Sequence, residues 1–272
     1  EGNINWRIFP RPGLNITQVR VGDVNKIDGD YALSVDNLTF YLELMPILQG
    51  QLVFNKLILD GFTLRINLGD KAPTTQHAPS PRKKTKATLP TRIALKSLLL
   101  TNGQVIIAQK KERFSFKNVR LEAELPKTHR EQFPIQLKAT MQKKSDTLSL
   151  TGNLNYKGLL KLPALDTTNT QLEDLELDGQ SSFQDIHLNE YDITAARAHT
   201  FFRHGKLELN PLTLSLYNGE SVGQLNYTIA NSALHVHQTG TGLTAEPVFQ
   251  HVFDVRPSRL TGTLDFSVNA SG

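Results

Sequence analysis

FSFKNVRL, at Phe114–Leu121, has large apolar residues in its first, third, sixth and eighth places and a polar pair, Lys117-Asn118, between the third and the sixth. A strand shows one face at every second residue, whereas a helix needs apolar residues three and four apart. The octet is therefore two half-strands in alternation, separated by one residue too many. That extra residue turns the second half to the opposite face unless the backbone absorbs it as a β-bulge or tight bend. Asn, Asp and Ser suit such a place, because they tolerate unusual dihedrals and bond their own backbone.

The same step recurs in LNITQVRV (Leu14–Val21), LSVDNLTF (Leu33–Phe40), LVFNKLIL (Leu52–Leu59), IALKSLLL (Ile93–Leu100) and LELNPLTL (Leu207–Leu214). SSFQDIHL at Ser181–Leu188 is a seventh copy lacking its first apolar residue. A chain of this composition supplies about one such octet by accident, so six make a repeat. Strands bent at their middles and laid side by side align their bends into a crease, which folds the sheet lengthwise with the apolar side chains inside. The expected fold is mainly β: a long curved antiparallel sheet folded lengthwise into an apolar groove, with one or two short helices.

Further alternating runs lie at Pro134–Met141, Thr147–Tyr156, Tyr191–Phe202, Val222–Ile229, Ala233–Gln238 and Arg259–Val268, giving about fifteen strands. Asp60-Gly61 and Asn102-Gly103 stand at the ends of octets, the second one residue further on, and read as hairpin turns. Glu246–Val255 is a helix candidate, with Val248, Phe249, Val252 and Phe253 on one face and Pro257 as a stop. Leu42–Gly50 holds room for one helical turn around Pro46. Two such pieces are too small to cover so broad an apolar face. Either two halves of the sheet cover each other, as in a sandwich or closed barrel, or something apolar from outside does.

The chain has 272 residues and no cysteine, so disulfides, thiolate metal sites and cysteine nucleophiles are excluded. No apolar run approaches the ~18 residues of a membrane-spanning helix. The formal net charge of +4 is carried wholly by residues 70–91, where Lys71, Arg82, Lys83, Lys84 and Lys86 face Asp70 alone. A nucleic-acid reader needs a basic surface on its folded body, so nucleic acid is not an expected partner. The Pro-, Thr- and Lys-rich run itself has little to bury and reads as a disordered basic insertion.

Three groups of residues resemble the AsmA family. They are Gly2, Trp6, Pro10, Gly13, Leu14, Ile16 and Val19 near the start, the run ILQGQLVFNKLILDGFTLRI, and the tail GKLELNPLTLSLYNGESVGQLNY followed by LTGTLDFSVNASG. On this resemblance the chain divides into an AsmA-like N-terminal part (1–69), the insertion (70–91), a middle β segment (92–178) and an AsmA-like C-terminal part (179–272), together one piece (1–272) of an elongated groove. The resemblance implies a periplasmic location in a Gram-negative bacterium and an inner-membrane anchor preceding Glu1. It also implies a groove that binds phospholipid acyl chains in support of lipid transport and outer-membrane biogenesis, with no catalytic residues and no cofactor.

The lining expected from the octets is Leu52, Phe54, Leu57, Leu59, Leu95, Leu98, Leu100, Phe116, Val119, Leu121, Leu209, Leu212 and Leu214. The same residues would serve equally as the core of a sandwich or barrel. His235 and His237 share one face of a strand and His199 and His204 lie near a turn, but without HExxH or clustered carboxylates they make a poor zinc set. Glu173, Asp174 and Glu176 are read as a solvated connector. No enzyme is expected, and a carbohydrate-active site in particular lacks paired carboxylates and aromatic platforms. The rival to a lipid groove is a scaffold whose exposed strand edge pairs with outer-membrane proteins during their assembly.

Overall fold

The computed structural model describes residues 4–7, 12–21, 31–49, 51–67, 93–109, 112–126, 131–145, 149–162, 175–189, 191–231, 233–252 and 260–272. The basic run 70–91 lies outside them, as do Glu173 and Asp174.

One sheet contains every described strand, and its strands stand side by side in chain order. They are β1 (Ile4–Arg7), β2 (Gly13–Val21), β3 (Tyr31–Leu42), β4 (Leu52–Asn67), β5 (Ile93–Gln109), β6 (Glu112–Glu124), β7 (Phe133–Lys144), β8 (Ser149–Lys161), β9 (Glu176–Leu188), β10 (Tyr191–Arg203), β11 (Lys206–Leu216), β12 (Gly219–Thr228), β13 (Ala233–Thr244) and β14 (Thr263–Ser271). Two short helices interrupt them: α1 (Leu44–Leu48), with Pro46 inside its first turn, and α2 (Ala245–Val252). The mainly β, open, curled sheet with two small helices is the expected fold. Pairing is antiparallel throughout except between β4 and β5, which run parallel, with Leu52 beside Ile93 and Ile66 beside Ile107.

The two hairpin expectations are corrected. Asp60-Gly61 and Asn102-Gly103 lie inside β4 and β5 and make bends, not turns. Gly61 and Asn102 have φ of 67° and 51°, the left-handed dihedrals that Asx-Gly favours. Here those dihedrals break two neighbouring strands at the same level, between the pairs Asp60–Thr101 and Thr63–Gln104. Asp60 Oδ1 ties the bends together, accepting from Thr101 Oγ1 at 2.7 Å and from Asn102 Nδ2 at 2.6 Å.

In five of the octets the polar pair breaks the strand as its spacing requires. Gln18, Asn118 and Asp185, each the second residue of its pair, have φ of 57°, 52° and 52°. In β11 the register with β12 slips between Leu209 and Leu212, across Asn210-Pro211. In β4 it slips against β3 where Tyr41 pairs Lys56 but Leu42 pairs Phe54, leaving Asn55 as the extra residue.

From β2 to β6 the bends adjoin. Gln18 faces Asp36, Asp36 faces Gly61, Gly61 lies beside Asn102, and Asn118 precedes Val119, the partner of Gly103. The crease is not one unbroken line, however. The β7–β8 register runs without a shift from Phe133–Leu160 to Lys144–Ser149, and bending resumes at β8–β9 between Thr151 and Asn153. β7 and β8 lack the octet pattern and therefore lack its bend.

Candidate apolar groove

The octet's physical claim is that apolar residues three apart across a bend share a face. Phe116 and Val119 meet in one buried cluster, together with Val35 and Leu38 from β3 and Leu59 and Phe62 from β4. Phe183 and Ile186 meet in another, as do Leu209 and Leu212. Side chains that flank a bend and converge do so on its concave side, so this is the inner face. A third cluster, around Ala123, Phe133, Ile135 and Tyr156, links the other two. The shared strands β7, β8 and β9 make the apolar surface continuous from β2 to β12.

Nine of the thirteen residues expected to line the groove fall in these clusters: Leu59, Leu98, Leu100, Phe116, Val119, Leu121, Leu209, Leu212 and Leu214. Leu52, Phe54, Leu57 and Leu95 lie outside them, toward the ends of β4 and β5 that start the strands. There the Phe54 ring meets Phe40, with centroids 5.4 Å apart and planes tilted by 53°.

Whether this surface is a groove or a core depends on what covers it. Every extensive contact between described elements joins hydrogen-bonded neighbours in the sheet, apart from those of α1 with β4 and α2 with β13. All the described strands belong to one sheet and the other described elements are two short helices, so among the described residues no second sheet lies on the inner face. Of the thirteen residues expected to line the groove only Val119 and Leu212 are buried, and the other eleven keep part of their surface open. A sandwich core of the same residues would bury nearly all of them at crystal-like density.

Several residues of this face were not anticipated. Phe62 and Val105 follow octets in β4 and β5, and Phe133, Ile135 and Ala139 stand at alternate places along β7, a signal readable in the sequence. Phe62 is 4% exposed, and its ring lies where a side chain at position 103 would begin, so only glycine fits there.

Polar residues on the inner face are matched in pairs. Ser181 pairs Ala198 across the strands and bonds Thr200 Oγ1 at 2.5 Å. Ser221, the partner of Leu214, donates to Gln238 Oε1 at 2.7 Å, and Gln238 Nε2 reaches the Leu212 carbonyl at 3.5 Å. Tyr156 shares the lining, and burial, then the nearby Asp178 carboxylate, raise its phenol to about 12. Such pairing keeps buried hydroxyl and amide groups satisfied on an otherwise apolar surface.

Glu176 corrects another expectation. It does not stand in a connector but opens β9, where its carboxylate accepts from Lys161 Nζ at 3.0 Å and lies 3.5 Å from Arg203 Nε. The Lys161 hydrogen bond holds it below the usual carboxylate range, helped by the positive charges of Arg203 and Lys161. His199 Nε2 sits 2.7 Å from Asp178 Oδ1, while His235 and His237 project from one face of β13 opposite Asn226 and Gln224. Among the described residues no three His, Asp or Glu side chains gather as a metal site.

Fold and lining together define a single-layered, open β-groove protein with an apolar inner face. The family model described as the AsmA family matches residues 1–168, well over half of the chain, and the chain belongs to the AsmA family. It is similar to Protein AsmA of Escherichia coli (strain K12), 22% identical over 242 residues, a match that covers 84% of this chain and 37% of that protein. The chain thus spans a little over a third of the length of this curated relative. No solved structure matches it.

Proposed function

We propose that the chain is the periplasmic part of an inner-membrane-anchored envelope protein, that it holds phospholipid acyl chains along its inner face, and that it supports lipid transport and outer-membrane biogenesis. The observation that carries this reading is the continuous apolar surface from β2 to β12, on which no second sheet of described residues lies. An exposed apolar area of that extent marks a binding surface. Acyl chains lying in the trough would be held by contact worth roughly 0.8 kcal/mol per buried methylene. Headgroups would remain in water at the open side, so affinity rises with chain length more than with headgroup type. No catalytic step and no cofactor enters this mechanism, which is passive sliding along the trough.

Mass spectrometry of the purified chain under native conditions tests it, with phospholipid expected to co-purify. Leu98→Asp, inside the lining, should abolish that lipid load. A folded Leu98→Asp protein that keeps its full load overturns the reading. Loss of load by unfolding is recognised from circular dichroism, and Leu59→Ala, which shortens the lining without burying charge, then decides by a reduced load.

A further inference from the structure

The described large apolar side chains most open to water are neither in the groove nor on its outer face. They belong to α1: Leu44, Met45 and Leu48 are 59%, 72% and 81% exposed. The helix reads LMPIL and holds no polar residue. It projects from the rim of the sheet where β3 ends and β4 begins, packed against β4. At this rim, two residues from the end of β3 and from the start of β4, the Phe40–Phe54 ring pair adjoins the lining, because Phe40 pairs Leu57 across the two strands. Apolar side chains thus stand both on α1 and at the groove's rim beside it.

We propose that α1 inserts into the surface of a lipid bilayer and sets the groove's rim against it. The proposal rests on the lipid-groove reading above for its purpose. A bilayer is favoured over a protein partner on area: three side chains fall well short of the ~800 Å² per partner of a stable protein interface. They also protrude, where a protein partner would need a matching pocket, whereas a bilayer interface accepts protruding Leu and Met without complementarity. The flanking charges cancel, since Lys96 Nζ bonds Glu43 Oε1 at 2.6 Å. Insertion of α1 therefore has no need of anionic headgroups.

The absence of cysteine makes the test direct. Met45→Cys carries one environment-sensitive fluorophore and is mixed with vesicles of zwitterionic phosphatidylcholine. The label is expected to shift to the blue, brighten severalfold and be quenched by nitroxide placed at the lipid interface. Replacing Leu44, Met45 and Leu48 together by serine should lower the vesicle-bound fraction about tenfold or more. These positions are exposed, so the variant should fold as the parent does. Three results overturn the proposal: a label that stays in water while the protein is vesicle-bound, undiminished binding by the triple-serine variant, or self-association of the parent chain that the triple substitution removes.

The groove reading fails separately. The triple-serine variant should keep its co-purified lipid. Insertion of α1 by a chain that never carries lipid removes the lipid groove and leaves the docking helix.

Discussion

Gly103→Ala is the sharpest probe of the crease. Gly103 adopts an ordinary strand conformation, so on backbone grounds alanine there should stabilise by roughly 0.4–1 kcal/mol through the unfolded chain. The structure demands the opposite sign. A methyl at 103 would sit inside the Phe62 ring, and that ring, 4% exposed, is enclosed by Val35, Val119 and Ala139. Forcing extra carbon into such a site costs about 1–3 kcal/mol. The net expectation is a loss of ~1–2 kcal/mol, from overpacking less the backbone gain. Phe62→Leu removes the ring and leaves room, so the double variant should be more stable than the sum of the singles by about 1 kcal/mol. Urea unfolding followed by circular dichroism gives the cycle. Amide exchange in β4 and β5 localises it, since an extended sheet can open in parts. Additive losses, or a Gly103→Ala protein more stable than the parent, would refute the stacking of Phe62 on Gly103.

Other outcomes follow from the same structure. Asn118→Val places a β-branched residue at φ 52° and should cost about 1–2 kcal/mol, while Asn118→Gly should be tolerated, as read from paired unfolding midpoints. Glu176 has its proton affinity lowered on folding, so its contribution is present above the ordinary carboxylate pKa of 4.5 and is lost as pH falls through the folded value; Glu176→Gln should flatten the pH dependence of unfolding in that acid window. Tyr156 has its pKa raised by folding, so its contribution is complete below pH 10 and disappears as pH climbs from 10 toward 12. Ultraviolet titration should show one phenol ionising late, and Tyr156→Phe should remove that late component.

Much of the groove was legible because bend and face are local properties. The spacing of Phe116, Asn118 and Val119 already requires an extra residue, a polar side chain tolerant of φ > 0, and apolar neighbours brought back to one side. Phe62 and Val105 were within reach of the same reasoning, had the alternation been followed beyond the eighth place. Asp60-Gly61 and Asn102-Gly103 were misread as turns because one left-handed dihedral serves both a hairpin and a bulge. The difference lies in whether the following strand doubles back or runs on beside a neighbour already in place.

By itself, then, the sequence determined that the chain is strands, that octets bend at their polar pairs and that the apolar residues flanking such a bend share a face, since these depend on a few consecutive residues and their dihedrals. Only the tertiary structure decided that β4 and β5 run parallel, that the crease lapses at β7 and β8, and that the described strands form one sheet with no second sheet on its apolar face. An identical pattern suits a sandwich, a barrel or an open trough. Which one forms depends on contacts between strands far apart in the chain, and no local spacing records them.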